Sequence, residues 1–284
     1  MYADDTQVYL TFRSDESSTS IARIERCISD IKSWMITNKL MLNDNKTEIL
    51  HLTSRFIHDI DSVTVCVGDA NVPASSTARN LGVIIDDHMT LSQHVSSICR
   101  SASFALYNIG KLRKYLDQAS VETLVHSFVT SRLDSCNSLL YGLPQFELDR
   151  LQRIQNAAAR LVTCVRGRVH MSPILRQLHW LPVRKRIMFK TLLLTFKIIH
   201  GLAPLYLTDL VTIYTPTRSL RSSSQRLLKP PPLASVRTYT YGNRAFSVSA
   251  PKLWNQLPTH IRAIDLISQF KSALKTFLFD NDLF

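Results

Sequence analysis

The sequence predicts an α+β fold, with a few short antiparallel strands and one helix first and a long, mainly helical remainder after them. Three observations carry this. Gly is scarce, 7 in 284 residues, against about twenty at an ordinary usage of ~7%. That leans toward helix, and all seven (68, 82, 110, 142, 167, 201, 242) fall where turns are expected. Strand-like alternation is largely confined to short runs before residue 86, whereas apolar residues recur at helical spacing from His94 onward. Hydrophobic residues make up 45% and charged residues 20%, which excludes a mostly disordered chain and a collagen-like one.

The elements follow in order. Residues 6–12 (TQVYLTF) alternate and are rich in β-branched and aromatic types, which predicts a strand. After a polar loop, Ile21, Ile24, Ile28, Ile31 and Trp34 take helical spacing, with Thr19 or Ser20 as N-cap. Asn43–Lys46 is a turn and Thr47–Thr53 a strand. Val63–Val67 and Asn80–Ile85 read as the two strands of one hairpin. Ile98, Ala102, Ala105/Leu106, Ile109 and Leu112 then make one apolar helical stripe, and a second helix is expected over about 120–133. Leu148, Leu151, Ile154, Ala158, Leu161/Val162 and Val165 make another stripe. Ser172-Pro173 suits a helix start. Pro182 opens a longer basic helix that Gly201 stops. Residues 215–232 are polar, Pro-bounded and basic, and read as a mobile arm. Val236–Val248 alternates like a strand, Leu253–Leu257 is a short apolar piece around Trp254, and an amphipathic helix on Leu266, Phe270, Leu274 and Phe277 follows.

Charge is unevenly spread. Residues 1–100 carry 9 Lys/Arg and 13 Asp/Glu, whereas residues 151–284 carry 20 and 4. A net +16 in one half points to a polyanionic partner. Arg184, Lys185, Arg186, Lys190 and Lys197 on one helix, with Arg218, Arg221, Arg226 and Lys229 on the arm, are the candidate nucleic-acid contacts. Such contacts neutralise phosphates without reading sequence.

The five cysteines are dispersed and form no CxxC pair, which suits a reducing, intracellular compartment, nucleus or cytoplasm. Neither His88/His94/Cys99 nor Cys164/His170 has the second tight pair that zinc sites use. The N-terminus has neither the basic nor the apolar region of a signal peptide, so secretion is not expected. The most apolar stretch, Ile187–Ile199, is too short to span a bilayer, so no membrane role is expected.

The opening Tyr2-Ala3-Asp4-Asp5 places adjacent carboxylates where a hard divalent cation can sit. With Leu42-Asn43-x-x-Lys46-Thr47-Glu48 and Leu81–Asp86 (LGVIID) it resembles the end of a reverse transcriptase palm. Ser131–Pro144 (SRLDSCNSLLYGLP), Gln155–Leu161 (QNAAARL), Leu178–Val183 (LHWLPV), Ala250–Pro258 (APKLWNQLP) and Phe270–Lys275 (FKSALK) extend the likeness. Together they resemble the polyprotein of LINE-type (non-LTR) retrotransposons over nearly the whole chain.

The resemblance implies an RNA-directed DNA polymerase that uses Mg²⁺ and works on RNA and DNA. Asp4 and Asp5 match the paired palm aspartates that hold metal. Tyr2 matches the aromatic that leans on the template-primer. Lys46 lies where a lysine is proposed to protonate the leaving pyrophosphate, and Leu81-Gly82 looks like the primer-grip hairpin. The implied divisions are a partial palm over 1–93, a helical thumb over 94–165, a basic helical region over 166–214, the arm at 215–232 and a small patch over 233–284. In the family a third palm aspartate and the fingers precede the YADD string. Two-metal catalysis needs the full ligand set. The 284 residues alone are therefore expected to be inactive, with the upstream part of the polyprotein as a further partner. The alternative expectation is a basic helical module that binds RNA or DNA without catalysis.

Overall fold

The computed structural model describes residues 6–43, 46–54, 63–68, 70–165, 167, 169–216, 225–232 and 239–281. The chain is α+β, with helices dominant and three small sheets among the described residues. It divides into two compact units, Met1–Gln93 and His94–Phe284.

In the first unit, helix α1 (Ser17–Thr37) packs on β2 (Thr64–Val67). β2 pairs antiparallel with β3 (Ala70–Ser75), and β3 pairs parallel with β1 (Ile49–Leu50). The strands alternate as a half-buried sheet should, with Val65 and Val67 inside and Thr64 and Cys66 outside. The Glu25 carboxylate of α1 accepts a 2.8 Å bond from the Cys66 amide. That satisfies a donor on the edge strand β2. β4 (Thr77–Asn80) and β5 (Val83–Asp86) form a separate hairpin.

Three expectations are corrected here. Thr64–Val67 and Val83–Asp86 do not pair with each other. Each finds a nearer partner across a two-residue loop, Val67 opposite Ala70 and Asn80 opposite Val83. Short loops close with less entropy loss than the long connection the single hairpin required. The strand predicted at 6–12 does not form. Its contacts include Gln7 Oε1, which accepts from Asn80 Nδ2 at 2.9 Å, and Phe12, stacked on His51. The strand expected over Thr47–Thr53 shrinks to the two residues of β1.

The second unit begins with α2 (Ser92–Leu112), which includes Gly110, expected in a turn. Next come α3 (Gln118–Val125), a π-helical turn (His126–Thr130) and α4 (Ser131–Asp134). Asp117 caps α3 by accepting from the Ser120 amide at 2.9 Å, and hydrogen bonds from the Ser120 side chain and then its amide hold the carboxyl below the usual range. Then follow α5 (Gln145–Thr163), α6 (Met171–Gln177) and α7 (Val183–Ile199).

Helix α7 is the axis of this unit and contacts α4, α5 and two later helices, Phe246–Gln256 and Ile267–Asp280. Its buried residues, among them Val183, Ile187, Met188, Leu192, Phe196 and Ile198, cover most of its circumference, as befits a helix packed on several sides. The buried Thr191 and Thr195 hydroxyls donate to Ile187 O and Thr191 O, so neither is left unsatisfied. The helix stops at Gly201, whose φ of +66° lets Leu202 N reach Lys197 O at 2.7 Å.

The chain continues through α8 (Leu205–Thr208), β6 (Thr212–Ile213), β7 (Leu228–Lys229), α9 (Tyr239–Gly242), α10 (Phe246–Gln256), α11 (Thr259–Arg262) and α12 (Ile267–Asp280). Phe196 and Phe270 stack at 4.3 Å between ring centroids, and Trp254 lies 5.7 Å from Phe270. These rings centre a core with Leu192, Leu253, Leu274 and Leu278.

The strand predicted over Val236–Val248 is helical from Tyr239 in its described part. Ser249, Ala250, Leu253, Trp254 and Leu257 are buried at helical spacing, so one packed face outweighs the short aromatic alternation before it. The mobile arm predicted at 215–232 is also corrected. Residues 217–224 lie outside the described residues, but 225–229 form an anchored strap. β7 pairs with β6, and Leu228 is buried. Asn255 acts as an extra ladder partner: its Oδ1 accepts from Leu228 N and its Nδ2 donates to Leu228 O, at 2.9 and 2.8 Å. Trp254 Nε1 donates to Arg226 O at 2.8 Å, and the buried Arg262 guanidinium donates to Gln225 O.

Candidate nucleic-acid interface

Polar side chains at the strap and helix ends decide where charge faces solvent. Tyr2, Asp4, Asp5, Arg218 and Arg221 lie outside the described residues. Lys46 is exposed, its amide bonded to Asn43 O at 3.0 Å. The neighbouring Glu48 carboxylate accepts from Arg79 N at 3.1 Å, which ties this turn to β4.

Leu81 and Gly82 are the tip of the β4–β5 hairpin. Both have positive φ, +47° and +84°. Positive φ at both central residues marks the turn that suits the right-handed twist of hairpin strands, and Asn-Gly is its preferred sequence. Leu at the first position is strained, because its Cβ crowds the following carbonyl. Leu81 is nevertheless half exposed. Beyond β5, the Asp86 carboxylate accepts from Thr90 N at 2.8 Å and Leu91 N at 2.6 Å. That clamp sets the left-handed residues Met89 and Leu91, which lead the chain into α2.

The basic residues of α7 part company. Arg184 and Lys190 are exposed and Lys197 is half-buried. Arg186, Lys190 and Lys197, at i, i+4 and i+11, share one side of the helix. Lys185 is buried, and Arg186 makes a bidentate pair with Asp134, Nε to Oδ1 at 2.8 Å. Neither is therefore the open phosphate contact the sequence suggested, because α7 is covered on several sides. Burial pushes the Tyr141 phenol up, against the pull of the nearby Arg184 charge.

On the strap, Lys229 is exposed but Arg226 is engaged. Its Nη1 lies 2.7 Å from Asp265 Oδ1 and 3.4 Å from His200 Nε2. The hydrogen bond and charge of Arg226 hold the Asp265 carboxyl below its usual value. His200 in turn stacks on Phe196 and places Nδ1 2.8 Å from Phe196 O.

The acids of this unit are largely used in such pairs. Glu147 meets Arg150, Asp134 meets Arg186, Asp280 meets Arg176 and Asp265 meets Arg226. From Arg150 to Thr208 the chain holds 11 Lys/Arg and no Asp/Glu. Arg153, Arg184, Lys190, Lys229 and Lys252 are left exposed. Among the described residues no group of three or more His, Cys, Asp or Glu side chains converges on a metal-sized site. No described helix is long and apolar enough to cross a membrane.

Sequence reasoning passed over one surface. Arg100, Phe104, Tyr107 and Lys111 recur on α2 at i, i+4, i+7 and i+11, opposite the apolar stripe that was recognised. Their spacing was the available signal.

Comparison with protein-family models, with curated proteins and with solved structures finds no match. The likeness to retrotransposon polyproteins therefore rests on the sequence strings alone.

Proposed function

We propose that the chain is the palm-end, thumb and C-terminal portion of a LINE-type reverse transcriptase, and that the work of its second unit is to hold RNA or DNA without strong sequence preference. The observation that carries the binding part is the acid-free run from Arg150 to Thr208 with its exposed cations. Cations arrayed without competing carboxylates neutralise phosphates and release counterions, so affinity must fall steeply with salt. The polymerase part rests on the resemblance, with Asp4 and Asp5 as metal ligands for Mg²⁺, Lys46 as proton donor and Tyr2, Leu81 and Gly82 at the template-primer. The strained, exposed Leu81 at a hairpin tip supports that reading, since residues kept in costly conformations cluster at functional sites.

The test is fluorescence anisotropy with a labelled oligonucleotide between about 50 and 200 mM salt, a range over which several phosphate contacts lose orders of magnitude in affinity. Replacing Arg184, Lys190 and Lys229 together by Ala should flatten the slope of log affinity against log salt by about two to three. An unchanged slope, or no binding at the low-salt end, overturns the proposal. Primer extension separates the polymerase part: the 284 residues alone should incorporate no nucleotide above background.

A further inference from the structure

Helix α2 turns one face to its unit and an unusual one to solvent. Val95, Ile98, Ala102 and Ile109 are buried on one side. The opposite side carries Arg100, Phe104, Tyr107 and Lys111, and the turn that follows adds Lys114 and Tyr115. Phe104, Tyr107 and Tyr115 are 67%, 61% and 73% exposed. Scattered exposed aromatics are ordinary, but three on one face, alternating with cations, are not. The geometry couples the two kinds of group. Lys111 Nζ sits 4.3 Å from the Tyr107 ring centroid, and Lys114 Nζ sits 4.7 Å from that of Tyr115. No Asp or Glu occurs between Asp87 and Asp117. The face thus carries charge of one sign, and the other exposed residues of α2 are Gln93, Ser103, Asn108, Gly110 and Leu112.

We infer that this face of α2 is a stacking platform for unpaired nucleic acid, with Phe104, Tyr107 and Tyr115 taking bases and Arg100, Lys111 and Lys114 taking the phosphates between them. The inference rests on the nucleic-acid reading above and names which form of the polymer this surface takes. Exposed rings stack on bases whose faces are open, and every base has such a face, so the platform tolerates any sequence. Duplex DNA or RNA offers phosphates but no open base faces, so it can use the cations and not the rings. From Arg100 to Lys111 the helix rises about 16 Å at ~1.5 Å per residue, room for several nucleotides. Charge complementarity argues against an apolar protein helix as occupant, because docking one here would desolvate three cations with no acid on the face to meet them.

The experiment compares binding of a labelled single strand of about 12 nucleotides, within the range one such site covers, with binding of its duplex. The full chain is used at about 50 mM salt. Phe104→Ala and Tyr107→Ala should each weaken single-strand binding about tenfold and leave duplex binding unchanged. Lys111→Ala with Lys114→Ala should lower the single-strand salt slope by about 1.4, at ~0.7 per phosphate. All four side chains lie outside the core, and an unchanged thermal melt confirms that the variants fold. Unaltered single-strand affinity in the ring variants overturns the inference. If Arg184→Ala with Lys190→Ala then still weakens both forms, the broader nucleic-acid reading survives alone. If neither set matters, both fail. Ring variants that spare single-strand binding but abolish concentration-dependent association would make the face a protein-docking surface, which also overturns the inference.

Discussion

Helices α1 and α7 both carry apolar residues at helical spacing and meet opposite fates. α1 runs 21 residues and buries one of them, Ser20. α7 runs 17 residues and buries nine. The apolar residues of α1, Ile21, Ile24, Ile28 and Ile31, are half-buried, and Trp34 is exposed. The difference lies in what covers them. α1 packs on the four-residue strand β2, whereas α7 is enclosed by α5, α10 and α12. Apolar period decides that a helix forms, but segments distant in sequence decide how much of its face is removed from water.

The strongest way to break this comparison is a pair of truncations. Trp254→Ala should destabilise the second unit by about 3–5 kcal/mol, the usual cost of deleting a buried aromatic. Trp34→Ala should change the first unit by no more than about 0.5 kcal/mol. Urea unfolding followed by circular dichroism measures both, and comparable losses would show α1 to be covered after all.

Next in size is the strap. Asn255→Ala strips the Leu228 amide and carbonyl of their side-chain partners. Leaving a buried backbone group unsatisfied costs roughly 1–3 kcal/mol, and hydrogen exchange at Leu228 should accelerate accordingly. Exchange at the wild-type rate would mean that the β6–β7 pairing suffices.

Leu81→Asn tests the first unit from the other direction. Asn tolerates the left-handed turn, so stability should rise by ~1 kcal/mol, read as a higher urea midpoint. The same variant should weaken template-primer binding if the hairpin tip contacts nucleic acid.

The smallest effect belongs to Asp265. Its folded pKa lies below the usual 3.8, held there by Arg226. A depressed carboxylate contributes stability that is present above the unfolded value and is lost as pH falls through the folded one. Asp265→Asn should therefore lower stability slightly near neutrality, and the difference should vanish as pH falls through the folded pKa, where both states protonate. Asp265 is largely exposed and Arg226 partly so, so salt should shrink the difference.

Much of the helical unit was legible. The stripes on α2, α5, α7 and α12 repeat over several turns, and Pro182 and Gly201 punctuate α7 at both ends. α10 was misread because Pro251 interrupts its pattern and aromatics alternate just before it. The strap was illegible because its bonds come from Trp254, Asn255 and Arg262, 27 to 37 residues on. Of the interface, net charge was plain from composition, but which cations face water was not. Lys185 and Arg184 are neighbours in sequence, and their opposite burial depends on what packs beside α7.

The stacking of Phe196 on Phe270 also bears on synthesis. The two rings are 74 residues apart in the chain. At about 5–20 residues per second, the ribosome completes α7 roughly 4 to 15 seconds before the helix that covers it. For that interval Phe196, Leu192 and Met188 lack the cover of α12, and for the first part of it that of α10 as well. Of the helices that enclose α7, α4 and α5 precede it and α10 and α12 follow, so the burial of α7 is completed only when the C-terminal helices have been made.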